Sequence, residues 1–296
     1  MAFSVGAGTA LAQTTPPAPV AAPAAKPDDT PSIRVGATLF ADYTYTASPE
    51  ATDADGNSYN PSQFNVARRY INITGNVSHI VAFRFTPDIA RETGTGSTLS
   101  GSLVFRIKYA FAQVNLDDWM AKGSWARFGI QQTPWVDFQE GIYRYRFQGQ
   151  VFSDREGYLS SSDAGASFHY NLPSNYGEIH VGVYNGEYYN KLEANSQKAL
   201  RVHGFHDADN YVKDGERRRA DVGATFEHSR LNAGIEYLGT KDQTSVTRPE
   251  VSGHGFPMWA TPRAKNGWEA LLRYDHLTPD TSLAKQTRTR TLVGAA

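Results

Sequence analysis

Residues 67–88 read ARRYINITGNVSHIVAFRFTPD. In the first half Ile71, Ile73, Gly75 and Val77 alternate with Tyr70, Asn72, Thr74 and Asn76. In the second half Val81, Phe83 and Phe85 alternate with Ala82, Arg84 and Thr86. Side chains two apart lie on one face of a strand, so the stretch is two strands joined by a tight turn, each with an apolar and a polar face. A soluble sandwich buries the apolar face and wets the other. A membrane barrel turns the apolar face to lipid and encloses water.

The same alternation continues on both sides. About thirteen strand-like segments follow one another from Ile33: 33–46, 65–77, 79–89, 102–115, 124–132, 163–171, 177–186, 200–210, 217–228, 231–241, 254–262, 267–277 and 286–295. Most are near the roughly ten residues that a tilted membrane-crossing strand needs. In 102–115, Leu103, Phe105, Ile107, Tyr109 and Phe111 are expected on one face, with Arg106 and Lys108 on the other. In 267–277, Trp268, Ala270, Leu272 and Tyr274 oppose Glu269, Arg273 and Asp275. No run of doubly apolar strands or core helices is present to fill a sandwich. The expected fold is therefore all-β, an antiparallel transmembrane barrel.

Composition narrows the function classes. The net charge of −1 provides no bulk field to attract nucleic acid. The absence of cysteine excludes disulfide frameworks, thiolate metal sites and cysteine nucleophiles. No apolar run reaches the roughly 20 residues of a membrane helix, a test that barrel strands escape. Residues 1–12, MAFSVGAGTALA, end in a small-x-small pattern and read as a residual signal peptide. Residues 13–31 are too rich in Pro and Ala to form a core and read as a periplasmic linker. The barrel domain is expected over 32–296.

Connections support the barrel. Outer-membrane barrels alternate short periplasmic turns with long outer loops. Here the long polar 47–63 is followed by the turn at 76–78, then 90–101, 117–123, the very long 133–162, and the short 172–176. The alternation then loses phase. One extra strand between 187 and 201 would restore it. With two further strands beyond the last, the count would be sixteen, so the chain reads as an incomplete barrel.

Several ordered words carry a family resemblance: FRFTPDI (83–89), RFGIQQTPWVDF (127–138), YRYRF (143–147), DREGYLSSSDAG (154–165), FHDADNYVKDGERR (205–218) and GWEALLRYDHLTPD (267–280). Together they resemble the phosphate-selective porin O/P family. The resemblance implies a sixteen-stranded outer-membrane channel, a homotrimer in contact with lipid and lipopolysaccharide, passing small anions or neutral solutes without a cofactor. It also implies that the third outer loop folds inward. That loop holds Asp137, Glu140, Arg144, Arg146 and Arg155, and charged rings at a constriction select ions. Arg144 and Arg146 are expected to face Asp137 and Glu140 across the passage. Arg68, Arg84, Arg106, Lys108, Arg127 and Arg273 are expected on the lumen wall, as an anion ladder or as partners of Glu236, Glu269 and Asp275.

Other motifs weigh less. Asp53-Ala54-Asp55-Gly56-Asn57 begins like a calcium loop, but the glycine comes too early and Phe64 stands at the twelfth position. His203, His206, Asp207 and Asp209 are metal-ligand types split between two strand faces. Two rival readings remain. One is an outer-membrane barrel hydrolase using Ser160–Ser162, Asp163 and His169. The other is a secreted glycan-binding sandwich.

Overall fold

The structure, a computed structural model, describes residues 29–173, 177–191, 198–202, 206–209, 217–245 and 247–295. The expected signal segment, most of the linker, and His203 lie outside the described residues. Fourteen strands form one antiparallel sheet in which sequence neighbours are also spatial neighbours. They are β1 (Ser32–Tyr45), β4 (Ser62–Asn76), β5 (Val81–Arg91), β6 (Leu103–Asn115), β7 (Trp125–Gln132), β8 (Ser162–Asn171), β9 (Glu178–Tyr184), β10 (Ala199–Val202), β11 (His206–Asp209), β12 (Arg217–His228), β13 (Leu231–Asp242), β14 (Val251–Pro262), β15 (Ala270–Thr278) and β16 (Arg288–Ala295). Two short strands, β2 (Ala51–Thr52) and β3 (Ser58–Tyr59), pair with each other in the first long loop.

The strand missing from the sequence reading is found at the end of the expected span 187–201 and just beyond it. Of that span, residues 192–197 lie outside the described residues. The segment 200–210 turns back on itself, so that Val202 pairs with His206, and one expected strand becomes β10 and β11. Each has four residues, too few to display an alternation of its own. The split restores the phase, and every later tight turn falls at the end of the sheet that carries the earlier ones. β10 pairs with Val181–Tyr184 of β9, and β11 pairs with Arg217–Arg219 of β12. This hairpin therefore covers only the long-loop end of the wall. Among the described residues no ladder joins β1 to β16, and both strands are exposed along most of their length. The expectation is of about thirteen strands of an incomplete barrel, and the described residues form fourteen with no closure. The sheet is an open wall of fourteen strands.

The faces of the wall decide between sandwich and barrel. Phe128 is 74% exposed and Phe105 66%, whereas Arg273 is 3% exposed and Asp163 0%. Among the described residues no second layer covers the apolar face: Val35, Leu39, Val222, Ile235 and Leu272 also project outward. Charged groups are enclosed and greasy ones displayed, the inverse of a soluble protein and the arrangement of a lipid-facing wall.

One expectation about faces fails. Tyr109 and Phe111 are buried on the polar side, opposite to Phe105. The cause is a β-bulge. Thr86 pairs with Tyr109 and Pro87 with Ile107, which leaves Lys108 as the extra residue of β6. An extra residue reverses the alternation beyond it. Arg106 and Lys108 precede the reversal, Tyr109 and Phe111 follow it, and all four end on one side.

Candidate pore constriction

The long connection 133–161 does not stay at the rim. It folds onto the polar face of β12–β15. Pro134–Ile142 forms the helix α1 and Phe152–Arg155 the short helix α2. Pro134 sits at the first helical position, where its missing N–H has no cost. Trp135, Val136, Tyr143, Tyr145, Val151 and Leu159 pack with Leu271 of β15, and Phe138 and Trp259 join them. Phe152 packs with Leu238 and Leu277. Two glycines on the wall leave room for this. A Cβ at Gly223 would stand 3.2 Å from the Trp135 ring, and one at Gly255 would stand 2.5 Å from Phe152.

Polar contacts fix the docked segment. The Trp135 Nε1–H donates to Glu236 Oε1 at 3.2 Å, and Gln139 donates to the other oxygen of the same carboxylate. Arg155 Nη1 donates to Asp275 Oδ2 at 2.7 Å. Arg273 donates to Asp275 at 2.9 Å and, from Nη1, to the Gln150 carbonyl at 3.2 Å. The helix α1 has two edges because residues three and four apart are neighbours. Trp135, Phe138 and Gln139 face the wall, while Asp137, Glu140 and Gly141 line a cavity of about 310 Å³ on the other side. Across that cavity stand Tyr70, Arg84, Lys108 and Tyr109 of β4–β6. A larger cavity of about 740 Å³ adjoins it toward the long-loop end, lined among others by Arg68, Arg106, Asp154 and Tyr189. Tyr70 and Lys108 line both cavities.

The electrostatics follow this arrangement. Burial pushes the Asp137 carboxyl above its ordinary value, against the pull of Arg127 and Arg84. Burial also raises Glu140, opposed by Arg146 and Lys108, and Asp154, opposed by Lys108. Acids on the inserted segment thus feel cations of the facing wall. Of the five basic groups Arg68, Arg84, Arg106, Lys108 and Arg127, only Arg106 holds a carboxylate at ion-pair distance among the described residues, namely Asp88. Arg84 instead donates to Thr86 and Asn72, and Arg127 to Gln113 and Gln132. Their guanidinium groups lie over aromatic rings, Arg84 over Tyr109 at 4.4 Å and Arg127 over Trp125 at 3.6 Å. Lys108 Nζ meets the Tyr70 hydroxyl at 3.2 Å. On the other side of the segment the cations are compensated. Arg201 meets Asp163, Arg219 meets Asp242, and Arg155 and Arg273 share Asp275.

Of the expected facing of Arg144 and Arg146 toward Asp137 and Glu140, the contact of Arg146 with Glu140 is found and that of Arg144 is not. Arg146 pairs directly with Glu140 of its own segment and lines the same cavity, and Arg144 reaches Glu269 at 4.0 Å. Arg155 and Arg273 are part of the lattice that ties the segment down. The cations opposite the acids are those of β4–β7. Sequence reasoning missed the second inward loop, residues 185–191. Its Tyr188 hydroxyl donates to the Tyr158 carbonyl at 3.1 Å, and its Tyr189 hydroxyl to Asp88 at 3.2 Å. Tyr188 has φ of 68°, a left-handed conformation uncommon outside glycine. The adjacent tyrosines reach opposite sides of the opening. A consecutive Tyr-Tyr pair in a long loop was the available signal.

The hydrolase residues are not assembled. Asp163 accepts from the Gly186 N–H, while His169 lies six positions along β8, beside Glu178, roughly 20 Å away at strand rise.

The sequence matches no protein-family profile and no curated protein. Solved structures do match. The chain is similar to OmpF of Salmonella typhi in complex with daunomycin, with a TM-score of 0.60, 11% identity, and coverage of 90% of this chain and 86% of that one. It is similar to the anion-selective porin from Comamonas acidovorans, with a TM-score of 0.58, 13% identity, and coverage of 90% and 84%. It is also similar to the trimer form of OmpT, an outer membrane protein of Vibrio cholerae, with a TM-score of 0.53, 14% identity, and coverage of 90% and 84%. The fold is that of the outer-membrane porins.

Proposed function

We propose that this chain is a channel of the bacterial outer membrane through which small anions diffuse passively, with no chemical step. The observation that carries the reading is the asymmetry of charge compensation. Arg68, Arg84, Lys108 and Arg127 stand on one side of the passage without carboxylate partners among the described residues. Asp137 and Glu140 stand on the other side, on the edge of α1. Cations held by rings and neutral hydrogen-bond acceptors keep their full field for a passing ion, and clefts of one sign concentrate ions of the other. Inorganic phosphate fits the same donors, since guanidinium groups bind its oxygens in pairs. The assembly is a trimer whose apolar outer face contacts lipid and lipopolysaccharide. The comparison with a trimeric outer-membrane protein supports the trimer, and that with an anion-selective porin supports the anion reading.

The test is a planar-bilayer recording across a potassium chloride gradient, with chloride then replaced by phosphate. The expected reversal potential lies on the chloride side. A potential on the potassium side would remove the anion reading.

A further inference from the structure

We propose that the outer, larger cavity is a binding site for aromatic carboxylates, which rest there before crossing the constriction. This rests on the anion-channel reading and names a solute class for it. The cavity measures about 740 Å³, within the range of sites that take small organic molecules and far more than a bare inorganic anion fills. Its walls combine two chemistries. Arg68, Arg69, Arg91, Arg106, Lys108 and Lys191 outnumber the carboxylates Asp88 and Asp154, the first of them paired with Arg106, while Tyr70, Tyr188 and Tyr189 provide ring faces.

Lys108 is the group aimed at a ligand. It is 4% exposed, sits on the bulge of β6, and lines both cavities. Among the described residues its ammonium has no carboxylate. Its neighbours are the Tyr70 hydroxyl at 3.2 Å and the rings of Tyr70, Tyr109 and Tyr189 at 4.8, 5.5 and 5.9 Å. An enclosed ammonium with one neutral oxygen partner retains donors for an incoming carboxylate. Tyr189 roofs the same space, held by its hydroxyl on Asp88 and by Arg106, 5.1 Å above its ring. A carboxylate seated on Lys108 and the Tyr70 hydroxyl places an attached ring among these faces, where offset or edge-to-face contacts are favourable. Acetate would gain the charge contact alone.

The experiment records chloride current through the full chain in planar bilayers, with benzoate, acetate or inorganic phosphate added on one side. Benzoate is expected to halve the current at a concentration about fivefold below that of acetate, the size of one ring contact. Tyr189→Leu is expected to bring the two concentrations together, and Tyr189→Phe to keep them apart. Lys108→Gln is expected to weaken block by both. Equal block by benzoate and acetate in the unmodified chain, stronger block by phosphate than by benzoate, or a preference that survives Tyr189→Leu would overturn the proposal. The reversal potential of the unmodified chain separately reports the anion-channel reading. If no current is seen, saturation transfer to benzoate ring protons in the detergent-folded protein decides the binding claim. Transfer that is lost in Lys108→Gln supports it, and absence of transfer overturns it.

Discussion

Replacing Asp275 by Asn tests what holds the inserted segment in the lumen. Asp275 is 2% exposed and serves two guanidinium groups, Arg155 at 2.7 Å and Arg273 at 2.9 Å. The substitution keeps the shape and removes the charge. Arg273 then has no carboxylate among the described residues in the docked state, and Arg155 keeps only Glu156, whereas release lets water solvate both. Removing one partner of a buried pair costs about 3–5 kcal/mol. Against this stands the burial of Trp135, Phe152 and Leu159, at roughly 1.5–3 kcal/mol each. The docked form therefore remains in the majority, but its advantage falls by a factor on the order of 10² to 10⁴. Single-channel recording reads this directly. The unmodified chain is expected to hold one conductance level, and the variant to switch briefly to a larger one as the segment leaves. Adding Arg155→Met removes one of the two cations that Asp275 served, and is expected to shorten the large-conductance events. A variant that keeps one unchanged level and unchanged ion selectivity would refute the idea that this ion lattice locks the segment.

Charge reversal separates the passage from the lattice: Arg84→Glu is expected to move the reversal potential toward potassium, and Arg144→Glu, at a residue paired with Glu269, to leave it in place. Equal shifts for the two would contradict the geometry. Acidification is expected to strengthen the preference for anions. The Asp137 and Glu140 carboxyls lie above their ordinary values of 3.8 and 4.5 because they are buried, so they take up protons first as pH falls, while the wall cations remain charged. The dependence is expected to vanish in Asp137→Asn with Glu140→Gln, and a flat profile in the unmodified chain would count against it. At the short-turn end, His79 sits between Asp29 and Asp118, and the hydrogen bonds to both raise it above 6.5. Its tie between the turns is complete below 6.5 and lost as pH rises through the higher folded value. A His79 proton titration by NMR with a midpoint at or below 6.5 would argue against the contact.

Much of the wall was legible because alternation is a local signal. Segments with ten or more residues, such as 231–241 and 267–277, declare their faces without help from the rest of the chain. What failed was whatever depends on one residue of register. The bulge at Lys108 leaves no mark in composition, yet it carries Tyr109 and Phe111 from the expected outer face to the inner one. The hairpin of β10 and β11 was read as one strand because two four-residue strands look like a single longer one. In the site, the loop and its acids were found from charge and length. Which arginine faces which acid was not, because Arg144 and Glu269 meet only through the docking of a long segment. Alternate residues of a loop have no fixed face.

The most direct test of the inverted wall uses the absence of cysteine from the chain. Single cysteines are placed at Phe105, Phe128 and Leu272 on one face, and at Arg84, Arg127 and Asn232 on the other, in protein folded into lipid vesicles. A water-soluble maleimide is expected to label the second set and spare the first, while a fluorophore at the first set is expected to be quenched by brominated acyl chains. Labelling of Phe105 and Phe128 positions from water, with quenching at Arg84 and Arg127, would contradict the account.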